Sequence, residues 1–245
     1  MMELAYHACT AADEFRQCVE LQKAVWGFAD IDVLPSRLFV VGSTVGGQVF
    51  GAFEPPGRLV GFVFALPGLR LGRPYLHSHM LAVLPGYRNR GVGRRLKLMQ
   101  RDDALARGVR LVEWTFDPLE LKNAFFNIER LGVVVRRYVP NAYGLTSSAL
   151  QGGLPTDRLV AEWWLESERV GAALAGGARE TGAPARRVEV PAGIAAIKQR
   201  DPALARETQQ RVAREFQQAF DDGLAVTGFD RAGAYLCTPW QPPET

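Results

Sequence analysis

Arg88-Asn89-Arg90-Gly91-Val92-Gly93 stands between a stretch that reads as a strand and one that reads as a helix. Ahead of it, residues 75–85 run Tyr-Leu-His-Ser-His-Met-Leu-Ala-Val-Leu-Pro, apolar through their second half, which predicts a buried strand stopped by Pro85. Behind it, Val92, Leu96, Met99 and Ala106 share one helical face, while Arg94, Arg95, Arg101 and Asp102 point elsewhere. A strand that breaks into a glycine turn and opens a helix gathers unpaired N–H groups at the positive end of the helix dipole. That is an anion site, suited to a phosphate or pyrophosphate. Glycine there lets the backbone approach oxygens that a Cβ would hold off.

The turn lacks the Gly-Lys-Ser/Thr ending of a P-loop and the three glycines of a dinucleotide fingerprint. What remains, Arg-x-x-Gly-x-Gly after Val83-Leu84-Pro85, resembles the acyl-CoA-binding motif of the GNAT superfamily of N-acetyltransferases. The resemblance implies that the amides of Arg88, Asn89, Arg90, Gly91, Val92, Gly93 and Arg94 cradle the CoA pyrophosphate. It also implies that Leu81, Ala82 and Val83 face the pantetheine and thioester, and that the acyl group enters where this strand and the next, over 110–116, splay apart.

The surrounding order fits the resemblance. A β-branched and aromatic run over 110–116 reads as a strand. After Asp117-Pro118 comes a helical stretch over 119–131 closed by Gly132, then a strand over 133–138. Upstream, residues 4–8 read as a short strand. Thr10 with Asp13 gives a capping-box signature for a helix through Trp26, with Phe15, Val19 and Val25 as core. Pro35 opens a second apolar segment. Strands over 48–53 and 59–66 flank Pro55-Pro56-Gly57, and a late strand covers 157–165. The resemblance covers residues 3–165 and implies a mixed α/β GNAT fold, a twisted central sheet flanked by helices.

Acyl transfer to an amine needs a deprotonated amine, a polarised carbonyl and a proton for the departing thiolate. His77 and His79 lie on the strand entering the turn, and alternation puts them on one face unless a bulge intervenes. His77 stands where many members of the resembled family carry a glutamate base. A base at His77 with acceptor orientation by His79 competes with half-buried strand histidines bonded to the backbone or a carboxylate. Glu113 on the adjacent strand is an alternative base or a structural carboxylate. The family's helix tyrosine, four residues before the Leu-Gly, is replaced by Ile128. Tyr138 and Tyr143 are substitutes as general acid or core tyrosines, and Asn123 and Asn127 are CoA ligands or solvated helix polars. The backbone N–H groups of 81–83 are the candidate oxyanion donors.

Composition bounds the rest. The chain has 245 residues, 47% of them hydrophobic, enough for one large core or two modest ones. Cys9, Cys18 and Cys237 match no metal spacing, so no metal is expected, and their scatter points to a reducing cytoplasm. The N-terminus carries no signal-peptide pattern, and the run 38–53 is too interrupted to span a membrane. A formal charge of +3 is small, and a nucleic-acid patch would need phosphate contacts along a broader basic face with aromatic stacking, so nucleic acid is not the expected partner. Three parts are expected: a GNAT acyl-CoA domain over 1–166, a small-residue linker over 167–187, and an α/β extension over 188–245. The extension has a strand at 188–191, a helix opened by Pro202, and a hairpin over 224–229 and 234–237. At roughly 58 residues it is too small to stand alone, so it packs on the first part or on a second subunit, which would make a homodimer. The expected function is transfer of an acetyl group from acetyl-CoA to a primary amine in a ternary complex, with a small-molecule or amino-acid acceptor favoured. The alternative is a non-catalytic acyl-CoA-binding module.

Overall fold

A computed structural model describes residues 3–70, 72–144, 152–176, 183–230 and 232–243. The chain divides into two compact units, the first ending at Val112 and the second beginning at Glu113.

In the first unit, β1 (Ala5–Ala8), β2 (Gln48–Glu54), β3 (Arg58–Arg70) and β4 (Arg73–Val83) lie side by side in chain order. Each neighbouring pair runs antiparallel. The β3–β4 hairpin is longer than the 59–66 strand suggested, pairing from Gly61 with Val83 out to Arg70 with Arg73. Two helices, α1 (Ala12–Trp26) and α2 (Ser36–Thr44), cover one face through Phe15, Cys18, Leu21, Phe39, Phe62, Phe64, Met80 and Ala82. A Cβ at Gly42 would sit 2.6 Å from the Phe64 ring, so glycine allows α2 to lie that close to β3. Helix α3 (Val92–Ala106) covers the other face through Val92 and Leu96, packed with Ala52, Val60, Val63, Leu81 and Val83. Alternating apolar side chains on β3 and β4 feed both layers, as a doubly covered sheet requires.

The start of α1 differs from the expected capping box by one residue. Glu14, not Asp13, closes it, with Oε2 accepting from Thr10 N–H at 2.8 Å and Ala11 N–H at 2.9 Å.

The second unit orders its strands β5 (Leu111–Phe116), β7 (Arg158–Trp164), β6 (Val134–Val139), β9 (Leu224–Phe229), β10 (Ala234–Pro239) and β8 (Arg186–Glu189). The chain crosses from one unit to the other within β5. The expected helix over 119–131 is split: α4 (Leu121–Phe125) loosens into a π turn over Phe126–Arg130, with Leu131 N–H donating to Phe126 O. The linker expected from residue 167 begins instead with a helix, α5 (Glu168–Leu174), capped by Ser167 and burying Val170 and Ala173. Its small residues pack rather than unravel: a Cβ built on Gly132 would sit 3.0 Å from Ala173 Cβ. The 177–182 part of that linker lies outside the described residues, as does Arg231 in the closing turn.

The tail does not form a separate body. It adds α6 (Ile194–Arg200), α7 (Pro202–Asp221) and three strands to the same unit, with Val226 of β9 paired to Val135 of β6. The two compact units meet between Val112 and Glu113, and α6, α7 and the last three strands lie in the second of them. A tail hairpin satisfies its open edge by pairing with β6, which also supplies the core it lacks alone. Strand β8 begins two residues before the expected 188, because its partner β10 extends to meet Arg186.

Candidate functional site

Gly91 caps α3 in the left-handed conformation, φ 80°, one residue past an Arg90 that follows another left-handed residue, Asn89 at φ 59°. Arg95 N–H makes the first bond back, 2.9 Å to Gly91 O. The amides ahead of it therefore point out of the helix end. A Cβ built on Gly91 meets no atom within 4 Å, so the space before the turn is open. Arg88 Nε donates to Val83 O at 3.0 Å, tying the turn to the end of β4, and the Arg90 guanidinium lies over the Tyr87 ring. Left-handed backbone, outward amides, open space and arginines together fit an anion of pyrophosphate type. Gly93 is an ordinary helical residue, and a Cβ built on it would make only van der Waals contact with Leu81 and Val83.

Above the turn, β4 carries a bulge. Met80 pairs with Phe64 and Ser78 with Ala65, leaving His79 without an opposite residue. The bulge breaks simple alternation and turns Ser78 to the α3 side. His79 lies edge-on to Phe64 on the α1–α2 side, with the His77 ring 6.0 Å away. The two histidines thus share a face, but because of the bulge it is the one opposite Leu81 and Val83. Burial, and secondarily His77, push the His79 pKa below its usual value, so the ring is neutral at neutral pH.

Lys97 was not singled out from the sequence. It sits on the buried side of α3, 2% exposed, with Nζ donating to Ser78 Oγ at 3.1 Å and Gln100 Oε1 at 2.5 Å. Gln48 of β2 donates to Gln100 O at 3.0 Å and Asp103 Oδ2 at 2.6 Å. Burial pushes the Lys97 pKa well below the ordinary lysine value. The buried set Val92, Leu96, Lys97, Gln100 and Ala104 has helical spacing, but two of its members are polar, so apolar periodicity passed over them. Met99 is only half-buried and Ala106 exposed, contrary to the expected face.

In the second unit, Glu113 is buried and bound by Arg137 Nη2 at 2.8 Å. Tyr138 donates to Asp157 Oδ2 at 2.5 Å and stacks on Phe216 of α7, and burial with that bond pushes its pKa far up. Such a hydroxyl is a poor proton donor. Tyr143 is half-exposed with its Oη 2.7 Å from Thr115 Oγ1. Asn123 is exposed and Asn127 buried within the π turn, so the two do not present one polar face. Ile128 is fully buried core. Among the described residues no cluster of three His, Cys, Asp or Glu is placed to hold a metal, and no helix is long and apolar enough to cross a membrane.

No curated protein sequence matches the chain. Solved structures do match its fold. The Salmonella typhimurium yncA, a putative acetyltransferase solved with its cofactor acetyl-CoA, is 15% identical, with 68% of this chain and 96% of that one covered at TM-score 0.52. The ribosomal-protein-S18-alanine N-acetyltransferase of Escherichia coli is 15% identical over 67% and 96% of the two chains, also at 0.52. An aminoglycoside 6'-acetyltransferase of type Ii is 18% identical over 68% and 99%, again at 0.52. At such identities these likenesses speak for the fold. Residues 12–132 match the family model described as the Acetyltransferase (GNAT) family, a span that holds the strand, turn and helix around Gly91.

Proposed function

We propose that the protein is an acyl-CoA-dependent N-acyltransferase that moves an acetyl group from acetyl-CoA to a primary amine by direct transfer. The observation that carries this reading is the left-handed Gly91 cap with outward amides and open space in front of it. The amides at 88–94 would hold the pyrophosphate, with Arg88 and Arg90 adding charge. Leu81, Ala82 and Val83 line the strand along which the pantetheine would run. In the transfer, the amine nitrogen bonds to the thioester carbonyl carbon, the C–S bond breaks, and the proton shed by nitrogen passes through base and solvent to the thiolate. Neutral His79, with His77 beside it, is the group best suited to take that proton. Of the two tyrosines, Tyr143 is the better donor, because the Tyr138 proton is held by Asp157. Asn123, exposed at the start of the α4 region, is a better CoA ligand than buried Asn127. A reducing compartment suits the three cysteines, all buried and free.

Calorimetry tests the turn: wild type should bind acetyl-CoA, and Gly91→Asp should not, because it adds strain and negative charge at the cradle. Equal binding by both would remove the turn from the reading. Thiol release with an amine panel tests transfer, and it should fall sharply in His79→Ala and His77→Ala. A second reading, an acyl-CoA-binding module without turnover, is favoured by Ile128 in the tyrosine position and by the engaged Glu113. Intact binding without thiol release for any amine would select it.

A further inference from the structure

Residues Arg136 and Arg137 occupy a second bulge. On β6, Val134 pairs with Glu162 and Val135 with Ala161, but the next pair is Tyr138 with Leu159. Two residues on β6 thus face one on β7, and consecutive arginines emerge from the same side of the sheet. Glu162 receives both: its Oε2 accepts from Arg136 Nε at 3.2 Å and Nη2 at 2.9 Å, and its Oε1 lies 3.6 Å from Arg137 Nε. Arg137 Nη2 reaches on to Glu113 Oε1 at 2.8 Å. Trp164 Nε1 donates to Glu162 Oε2 at 3.2 Å, the Arg136 guanidinium lies 5.2 Å over the Trp240 ring, and the two indoles are 6.3 Å apart. Trp163, between Glu162 and Trp164 in sequence, turns the other way, donating to Leu131 O and meeting Trp114 edge-on.

The cluster is layered. The Glu162 side chain is 0% exposed and that of Glu113 6%, whereas those of Arg136 and Arg137 are 31% and 40% exposed. Carboxylates lie beneath and guanidinium edges reach solvent, so an incoming group meets N–H donors first although the four charges cancel. The ladder also leaves Arg137 Nε and Glu162 Oε1 without a hydrogen bond among the described residues. As stability alone this is a poor arrangement, since like charges sit side by side and apolar residues would serve as well. As a receptor it is well made: planar donors are oriented by buried acids, and two indoles supply an apolar border.

We propose that Arg136 and Arg137 receive the carboxylate of a small ligand, with Trp164 and Trp240 bordering its apolar part, so that the ligand class is a carboxylic acid with an apolar part, such as an apolar amino acid. This site lies wholly within the second unit and does not depend on the acyl-transfer reading.

The test uses the full chain with the protein amino acids and their α-amides as paired probes. Each is measured by calorimetry and by thiol release in the presence of acetyl-CoA. At least one acid should bind about tenfold or more better than its amide, the discrimination expected when a built polar partner is lost. Arg136→Gln and the double change Glu113→Gln with Arg137→Gln should erase that preference while acetyl-CoA binding persists. The double change removes both charges, so no buried carboxylate is stranded and the fold survives. Acids that bind no better than amides, or a preference that outlives both variants, overturn the receptor. Discriminating binding without thiol release would sink the transfer reading and leave the receptor standing.

Discussion

The two units each bury charge beside a bulged strand, and they neutralise it in opposite ways. In the first, Lys97 meets Ser78 Oγ and Gln100 Oε1, partners that carry no charge, and burial drives its pKa down. In the second, Arg136 and Arg137 meet the carboxylates of Glu162 and Glu113. Lysine yields its proton when desolvated, and arginine does not. A buried lysine can therefore be accommodated by losing charge, but an arginine has to bring a carboxylate with it. The lesson is that the same local device, one extra residue in a strand, recruits a titratable tie in one unit and a permanent ion ladder in the other.

The contrast breaks most visibly at Glu162. Glu162→Ala removes the acceptor beneath two guanidiniums and Trp164 Nε1, and should cost about 3 kcal/mol in urea unfolding. A loss under about 1 kcal/mol would class the ladder as a surface pair.

The next effect is one of pH. Because the folded Lys97 pKa lies below 10.5, the unfolded chain binds the extra proton between those two values. Stability should therefore fall as pH drops through that window, by up to about 1.4 kcal/mol per pH unit. Lys97→Met keeps the length and removes the proton, so unfolding measured at pH 8 and 10 should lose that part of the slope. An unchanged slope would mean that Lys97 titrates as a free lysine.

Ser78→Ala sharpens the same point on a smaller scale. It deletes one hydrogen bond to Nζ and should cost about 1 kcal/mol, with Lys97→Met cancelling most of that in a double-mutant cycle. Last, Arg136→Gln takes two donors from the buried Glu162 carboxylate but leaves Trp164 Nε1 and the Arg137 guanidinium beside it, so it should cost about 1 kcal/mol, clearly less than Glu162→Ala. A large loss there would make the arginine structural and weaken its reading as a receptor.

Much of the fold was legible along the chain. The Arg88–Gly93 turn, the strand before it and the helix after it follow from glycine placement and periodicity, and the structure puts a left-handed cap at Gly91. The tail hairpin and the helix opened by Pro202 were legible too. What escaped has a common cause. The bulges at His79 and at Arg136–Arg137 insert single residues, which no period-2 pattern registers. The Lys97 and Gln100 positions carry the spacing of a core face but the polarity of a surface one. The α5 helix hides in a small-residue run because alanine and glycine suit close packing as well as linkers, and only the approach of Gly132 to Ala173 separates the two.

The order of the first strands and helices, the glycine turn and its suitability for a phosphate are local consequences of side-chain size, backbone freedom and periodicity, and the amino-acid string alone determined them. Which face each histidine takes, which glutamate each arginine finds, and that residues 224–239 complete a sheet begun a hundred residues earlier were decided by tertiary structure. Strand register and charge pairing depend on what lies across the sheet, and neighbours in space are not neighbours along the chain.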